Sequence, residues 1–163
     1  MSVKIIILKG TSSSGKTSIA KALQKQLDEA YLHFQMDAFW DMVPEDMEAN
    51  SQNFPKLRYA VIDSAKSLAE NGHNLIMDIT LMPDSVIGLM NALKGHYVFS
   101  VGVHCDLEIL KKRERQRGDR KIGLAESQYE TIHDGVNYDF EINTSKLDAK
   151  TVATSIVTAF RRT

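Results

Sequence analysis

One eight-residue segment constrains the fold of this chain more than any other part of the sequence. It runs Gly10-Thr11-Ser12-Ser13-Ser14-Gly15-Lys16-Thr17 and fits the pattern G-x-x-x-x-G-K-[ST]. A mainly apolar, β-branched run at residues 3–8 precedes it, and residues 17–28 carry apolar side chains at helical spacing after it. The segment therefore predicts a buried strand, a tight glycine-containing loop and a helix, in that order.

The residue types of this loop are those that hold phosphate groups. Glycines let the backbone curl until successive N–H groups face an anion, and the following helix adds the positive end of its dipole. Lys16 can reach the β- and γ-phosphates of a nucleotide, and the Thr17 hydroxyl can ligate Mg²⁺. A chance match in a surface turn is the alternative, and the flanking strand and helix disfavour it. We expect ATP and Mg²⁺ to bind at Gly10, Thr11, Ser12, Ser13, Ser14, Gly15, Lys16, Thr17 and Ser18.

Strand and helix patterns alternate along the rest of the chain, which is typical of an α/β fold with a parallel sheet. The sequence contains no internal repeat, low-complexity tract or linker, so one domain over residues 1–163 is the simplest organisation. Strands are predicted at residues 3–8, 31–35, 75–77, 97–103 and 138–143, and helices at 17–28, 55–71, 83–93, 106–117, after 123, and at 148–162.

Composition narrows the class of partner and the compartment. A net charge of -1 gives no basic excess for non-specific nucleic-acid binding, so nucleic acid is an unlikely partner. The lone Cys105 cannot form an internal disulfide, and no apolar run reaches membrane-spanning length. These features predict a cytoplasmic protein without a membrane partner, and they leave the oligomeric state open.

Two aspartates stand at the ends of predicted strands. Asp37 follows the second strand, and Asp78 ends the third. In open α/β sheets, ligands bind beyond the carboxyl ends of the strands, so both acids should face the phosphate loop. Asp78 is interpreted as the Mg²⁺-side acid and Asp37 as the residue that orients, or deprotonates, a hydroxyl acceptor. The alternatives are a turn or capping aspartate for Asp78, and the N-cap of a short helix at 38–42 for Asp37.

The most basic stretch, residues 111–121, offers candidates for a lid over the phosphates. Arg113 and Arg117 are four residues apart and share a helix face, and Arg120 follows a glycine that can act as a hinge. Guanidinium groups on a mobile lid offset charge on a transferring phosphoryl group, so Arg117 and Arg120 are predicted to be catalytic together with Lys16 and Asp37. A solvated helix end is the alternative. An RNA-binding patch is a third reading, disfavoured by the near-neutral charge and the lack of interleaved aromatic residues.

With these residues in place, the chain resembles the chloramphenicol phosphotransferase family over nearly its whole length. Beyond the phosphate loop and the two acids, three segments carry the resemblance: V-G-V-H-C-D at 101–106, R-G-D-R at 117–120 and H-D-G-V-N-Y-D at 133–139. The resemblance implies an ATP-dependent kinase with the five-stranded parallel sheet of the nucleotide and shikimate kinases. It also implies that Asp37 is the catalytic base and that Arg117 and Arg120 are the lid arginines.

The chain departs from that family in the region that should form the acceptor pocket. The stretch after Asp37 is shorter and different, Ile79 replaces a second acid beside Asp78, and Thr11 stands where the family often has a second glycine. The acceptor is therefore expected to be a small molecule with a hydroxyl group, chloramphenicol or another alcohol, in a resistance or a metabolic role. The alternatives are a nucleotide or polynucleotide kinase, and a nucleotide-dependent switch or binding protein without a small-molecule acceptor.

Overall fold

The computed structural model describes residues 3–118 and 121–163. In these ranges the chain alternates strands and helices, as the sequence pattern predicts. The strands are β1 (Lys4–Lys9), β2 (Tyr31–Gln35), β3 (Asn74–Ile79), β4 (Tyr97–His104) and β5 (Phe140–Asn143). The helices are α1 (Lys16–Gln24), α2 (Asp37–Trp40), α3 (Leu57–Glu70), α4 (Pro83–Ala92), α5 (Leu107–Arg117), α6 (Leu124–Tyr129) and α7 (Ala149–Phe160).

The five strands form one sheet in the order β2-β3-β1-β4-β5, and every neighbouring pair is parallel. This confirms the predicted five-stranded parallel sheet. Strand β1 lies at its centre and is buried from Ile5 to Leu8, because both of its faces are covered. A β-branched run without a polar face is the sequence that such a position requires.

Two hydrophobic clusters cover the two faces of the sheet. On one face α3 and α4 pack against alternate strand residues such as Ile5 and Met77, and on the other α1 and α7 pack against Ile6 and Ile76. Each helix contributes a stripe of apolar residues at helical spacing to its cluster, for example Ile19 and Leu23 of α1. The sheet is thus held from both sides, which fixes the edge where the strands end.

Several element boundaries differ from the sequence prediction. Strand β3 extends to Ile79, so Asp78 lies inside the strand and is not a turn or capping residue. Helix α1 ends at Gln24 instead of residue 28, and β5 begins at Phe140 instead of residue 138. The shorter β5 has a physical reason, because the Tyr138 ring packs against Gly102 of β4 instead of continuing the ladder.

The carboxyl ends of β1, β2 and β3 meet at one edge of the sheet, since neighbouring parallel strands point the same way. There the backbone N–H of Met36 donates to the carbonyl oxygen of Asp78 at 3.1 Å, which joins the end of β2 to β3. Among the helices described, none combines the length and the apolar character needed to cross a bilayer.

Candidate functional site

A cleft of about 1540 Å³ opens at this edge of the sheet. Its wall brings together Lys16, Thr17, Asp37, Asp78 and Arg117, which the sequence analysis had placed in four separate segments. The loop residues Ser12, Ser13, Ser14, Gly15 and Ser18 line the same cleft. Arg120, the remaining predicted catalytic residue, lies outside the described residues.

Gly10 and Thr11 do not line the cleft, although both were predicted to bind the nucleotide. Gly10 lies against β4 so closely that a Cβ there would be 2.3 Å from the carbonyl oxygen of Val103. The carbonyl oxygen of Thr11 accepts a hydrogen bond of 2.7 Å from the Lys16 ammonium group. Gly10 and Thr11 therefore contribute to the conformation of the phosphate loop without lining the cleft. Their contact with a nucleotide stays a prediction.

The loop itself has the features of an anion cradle. Gly15 adopts a φ of 96° and Ser13 a φ of 64°, both in the left-handed region that lets the backbone turn sharply. Helix α1 begins directly afterwards at Lys16, so its N-terminal amide groups lie at the loop. The hydroxyl oxygens of Ser13 and Ser14 are buried without a partner among the described residues. Polar atoms buried in this way fit an absent polar ligand, and a phosphate group suits a helix N-terminus.

Thr17 and Asp78 are in direct contact at the floor of the cleft. The Thr17 hydroxyl donates to Asp78 Oδ2 at 2.5 Å, and His33 Nε2 lies 3.6 Å from the same oxygen. Burial raises the pKa of the Asp78 carboxyl, but His33, Lys16 and Thr17 together outweigh burial and hold that pKa below its ordinary value. Asp78 is therefore an anionic carboxylate beside a hydroxyl group.

This pair fits Mg²⁺ better than a transition metal. The described residues contain no cluster of three or more His, Cys, Asp or Glu side chains that could hold a metal ion. Magnesium needs no such cluster, because it is commonly bound by one or two protein oxygens together with phosphate oxygens and water. The Thr17 hydroxyl and the Asp78 carboxylate, next to a phosphate cradle, meet that requirement.

Asp37 is the first residue of the short helix α2 and lines the cleft. Met36, not Asp37, is the N-cap residue of that helix, so the capping alternative for Asp37 does not hold. Because Met36 is hydrogen-bonded to the backbone of Asp78, Asp37 is fixed near the Thr17–Asp78 pair. We call the part of the cleft that is lined by residues 37–62 and 80–88 its open half, and a carboxylate so placed can accept a proton from a molecule bound there.

Two arginines of α5 face the cleft. Arg117 is the last residue of the helix and is exposed at the cleft wall, and Gly118 ends the helix with a φ of 68°. Arg113, one turn earlier, donates to the carbonyl oxygen of Thr144 at 2.9 Å and lies 3.5 Å from that of Ser13. Arg113 shares a helix face with Arg117, as the spacing predicts, but no role was predicted for Arg113. Its contacts join the phosphate loop to the segment after β5.

Helix α6 holds the phosphate loop from the side, a feature that sequence reasoning missed. The side-chain oxygen of Gln128 accepts a 2.9 Å hydrogen bond from the backbone N–H of Ser12. The buried Lys9 donates to the carbonyl oxygen of Ile132, and burial followed by repulsion from Lys16 lowers the pKa of Lys9 to about 8. Both contacts join residues more than a hundred positions apart, so no local spacing in the sequence could have revealed them.

The segment that follows α6 carries one of the motifs on which the family resemblance depends. Nδ1 of His133 is hydrogen-bonded to the Tyr138 hydroxyl at 2.7 Å, and the His133 ring lies 4.1 Å from that of His104. His104 in turn contacts Glu141 at 2.7 Å. Burial, followed by the charges of His104, Lys9 and Lys16, lowers the pKa of His133 to about 4. The motif thus forms a packed support behind the phosphate loop and not a wall of the cleft.

The open half of the cleft has mixed polarity. Trp40 and Phe54 line it, whereas Phe39 packs on Phe34 against the core. Met42 and Met47 are exposed to solvent. Near the mouth, Lys121 forms a 2.8 Å ion pair with Glu48, which joins the segment after α5 to the segment after α2.

Solved structures share this fold over almost the whole chain. APS kinase from Mycobacterium tuberculosis, in complex with AMPPNP and APS, superposes with a TM-score of 0.74 at 15% identity and covers 98% of both chains. A gluconokinase from Sinorhizobium meliloti 1021 gives a TM-score of 0.71 at 17% identity, covering 98% of this chain and 92% of its own. The tunicamycin resistance protein of Deinococcus radiodurans gives 0.69 at 20% identity, covering 97% and 95%. The fold is therefore that of the P-loop kinases, as predicted.

Sequence comparisons give the family. Two Mycobacterium tuberculosis proteins named "Putative O-phosphotransferase", from strains CDC 1551 and H37Rv, are each 29% identical over 171 residues, covering 87% of this chain and 75% of theirs. The model of the family described as "Chloramphenicol phosphotransferase-like protein" matches residues 3–161. This match confirms the resemblance inferred from the motifs, and the chain belongs to the chloramphenicol phosphotransferase-like family.

Proposed function

We propose that this protein is an ATP-dependent phosphotransferase that moves the γ-phosphate to a hydroxyl group of a small molecule. The observation that carries the proposal is that Asp37, Asp78 and the phosphate-loop residues Lys16 and Thr17 line the same cleft. The family and the fold are those of phosphotransferases, which supports the same reaction class. The proposal includes a cytoplasmic location, where ATP is available and the lone Cys105 stays reduced.

The phosphate loop would hold the nucleotide and its metal. The N-terminal amides of α1 and the orphan hydroxyls of Ser13 and Ser14 would bind phosphate oxygens. Lys16 would exchange its bond to Thr11 for the β- and γ-phosphates. Thr17 and Asp78 would hold Mg²⁺, which, when bound, offsets phosphate charge during transfer.

Asp37 would act on the acceptor. Its carboxylate would accept a hydrogen bond from the acceptor hydroxyl, aim the oxygen at the γ-phosphorus and take up the proton as the new P–O bond forms. As that bond forms, the bond from the γ-phosphorus to its bridging oxygen breaks, and ADP is the second product. Arg113 and Arg117, together with Arg120, would offset the charge that develops on the transferring group.

The charges in the open half favour an acceptor that is not itself a polyanion. Asp41 and Asp84 line that half together with Asp37. Its cation Arg58 already donates to the Pro55 carbonyl and the Tyr59 hydroxyl, at 2.8 and 2.9 Å, and stacks over the Tyr59 ring. An acceptor with its own phosphates would be repelled by the three carboxylates of this half. A small neutral or cationic alcohol therefore fits better than a nucleotide or polynucleotide, and chloramphenicol is one candidate, in a resistance role.

Acceptor-dependent consumption of ATP tests the proposal directly. Purified protein with Mg²⁺ is given ATP and a panel of chloramphenicol, sugars, nucleosides and RNA with a 5′-hydroxyl end. A phosphorylated product, identified by mass and absent with Lys16→Ala, is the expected result. Tight nucleotide binding with slow hydrolysis and no stimulation by any member of a broad alcohol panel would favour a nucleotide-dependent switch or binding protein instead.

A further inference from the structure

Three buried side-chain polar atoms have no hydrogen-bond partner within the described part of the chain: Ser13 Oγ, Ser14 Oγ and His33 Nε2. The two serines belong to the phosphate loop, and a bound phosphate group would satisfy them. His33 belongs to no recognised motif and lies on the edge strand β2. Buried polar atoms without a partner are uncommon in native proteins and often mark a site that is completed by something absent.

The strand register places His33 beside Asp78. Strands β2 and β3 pair Gln35 with Asp78 and His33 with Ile76, so His33 and Asp78 point to the same face of the sheet, one pleat apart. The two side chains are 11% and 10% exposed, and His33 Nε2 lies 3.6 Å from Asp78 Oδ2. That distance is slightly too long for a hydrogen bond.

The same carboxylate oxygen already accepts a bond from Thr17 at 2.5 Å. On the proposed function, the Thr17 oxygen would ligate Mg²⁺ through a lone pair, and its O–H can still donate to Asp78. A carboxylate oxygen can accept two hydrogen bonds, so Asp78 Oδ2 keeps an acceptor position beside the bond from Thr17, and the buried His33 Nε2 lies 3.6 Å from it. A shift of a few tenths of an ångström closes the gap to hydrogen-bond distance.

We infer that His33 is a positioning residue for the metal site: its Nε2–H bonds Asp78 Oδ2 and fixes the carboxylate in the orientation that holds Mg²⁺. The inference rests on the proposed function, because it needs a metal-nucleotide complex at Thr17 and Asp78. An outer partner of this kind fixes the rotamer of a metal-side carboxylate and thereby sets metal affinity. Both the Nε2–H tautomer and the charged imidazolium can supply the donor, so the role does not depend on the charge of the ring.

Two substitutions of His33 distinguish the effect of its N–H donor from the effect of its side-chain volume. His33→Leu keeps the volume but removes the donor, and His33→Gln places an N–H group near the position of Nε2. Binding of Mn²⁺ in the presence of ADP, measured by electron paramagnetic resonance, reports the metal site without any acceptor. His33→Leu should weaken Mn²⁺ binding by about tenfold or more, while His33→Gln stays within about threefold of wild type. The half-saturating Mg²⁺ concentration in the kinase assay should rise in parallel, with metal-free ADP binding unchanged.

His73→Leu is the matched control, since His73 is exposed and outside the cleft. Equal Mn²⁺ binding by wild type and a folded His33→Leu variant overturns the inference. If His33→Leu does not fold, ¹⁵N resonances of the histidine rings in the wild-type complex with Mg²⁺ and ADP decide instead. A protonated, hydrogen-bonded Nε2 on His33 supports the inference, and an unprotonated Nε2 overturns it.

The two proposals fail in different ways. Wild-type protein that binds no metal-nucleotide complex contradicts the proposed function, and this inference with it. A second outcome is that the metal-nucleotide complex binds normally and depends on His33, but no acceptor is phosphorylated. That outcome supports the inference about His33 and contradicts only the proposed phosphoryl transfer.

Discussion

Asp37 is the residue on which the proposed chemistry depends most. Asp37→Asn keeps the shape of the side chain but removes its capacity to take up a proton, so kcat should fall by about 10²–10⁴ while nucleotide binding is retained. Steady-state kinetics together with calorimetric ADP binding measure the two effects separately. Asp63→Asn, an exposed change on α3, is the control. Turnover at the wild-type rate in Asp37→Asn would contradict the role of Asp37 as a base.

Gly10 illustrates a second kind of constraint at the residue scale, a lack of space. A Cβ at Gly10 would meet the Val103 carbonyl oxygen at 2.3 Å, so β1 and β4 would have to separate. Gly10→Ala should lower the free energy of unfolding by about 1–3 kcal/mol, measured by urea denaturation.

Gly88 on α4 is the matched control for Gly10. A Cβ at Gly88 would lie 3.5 Å from the Ile62 side chain, an ordinary contact, and alanine favours a helix. Gly88→Ala should therefore raise the free energy of unfolding by up to about 1 kcal/mol. Equal effects of the two substitutions would contradict the close approach at Gly10.

Individual residues were predictable where a local pattern or a strand end marked them. Lys16 and Thr17 belong to a motif, and Asp37 and Asp78 stand at the ends of predicted strands, so their meeting in one cleft was predictable, while their roles stay predictions. His33 and Gln128 were not, because their partners lie far away in the sequence. An isolated histidine or glutamine looks the same in sequence whether it supports a site or is only solvated.

At the scale of elements, α5 and α6 form one structural piece through a buried carboxylate. Glu114 of α5 is fully buried and accepts hydrogen bonds from the backbone N–H groups of Gly123 and Ala125, at 2.7 and 2.9 Å. Glu114 therefore provides hydrogen-bond acceptors for backbone N–H groups at the start of α6. Helix α6 is also the helix that contacts the phosphate loop through Gln128.

Replacing Glu114 should loosen this piece. Glu114→Ala leaves two amide groups without their acceptor and should lower the free energy of unfolding by about 2–3 kcal/mol, measured in urea. Glu126→Ala is the control, since Glu126 forms an exposed ion pair with Lys111 that should contribute less than about 1 kcal/mol. Similar losses in the two variants would show that Glu114 is no more important than a surface carboxylate.

The elements themselves were predicted well and their ends less well. The order of strands and helices followed from apolar periodicity, whereas the ends of α1, β3 and β5 were displaced by two to four residues. Ends depend on tertiary contacts, as the packing of Tyr138 on Gly102 shows for β5. Patterns in a single sequence do not contain such contacts, so the ends of strands and helices are harder to predict than their order.

For the whole molecule, His133 should make stability depend on pH. The pKa of His133 is about 4 in the folded protein, against an ordinary 6.5. As the pH falls from about 6.5 to about 4, the unfolded chain takes up a proton at His133 and the folded protein does not. The free energy of unfolding should therefore fall across this window, by about 1–2 kcal/mol after allowance for the partial exposure of the ring.

The substitution His133→Leu should flatten that part of the pH profile. Urea unfolding at pH 4.5 and pH 7 should show a smaller difference for the variant than for wild type, and His73→Leu, an exposed change, should leave the difference as it is. An unchanged slope in His133→Leu would mean that other groups cause the acid sensitivity.

The organisation of residues 1–163 as one domain stays a prediction. The parallel sheet and its kinase type were predicted from the strand pattern and the family resemblance, because the phosphate loop permits few other architectures. The acceptor was not predictable, because residues 41–56 have no regular structure and no motif.

That irregular segment has a consequence for the history of the family. The strands and their two clusters carry the stability, and the phosphate half of the cleft depends on them. Residues 41–56 lie outside every strand and helix and contribute Asn50 and Phe54, among others, to the open half of the cleft. Substitutions there can change which alcohol is accepted without endangering folding or the transfer chemistry, so closely similar sequences can diverge in substrate while the reaction persists.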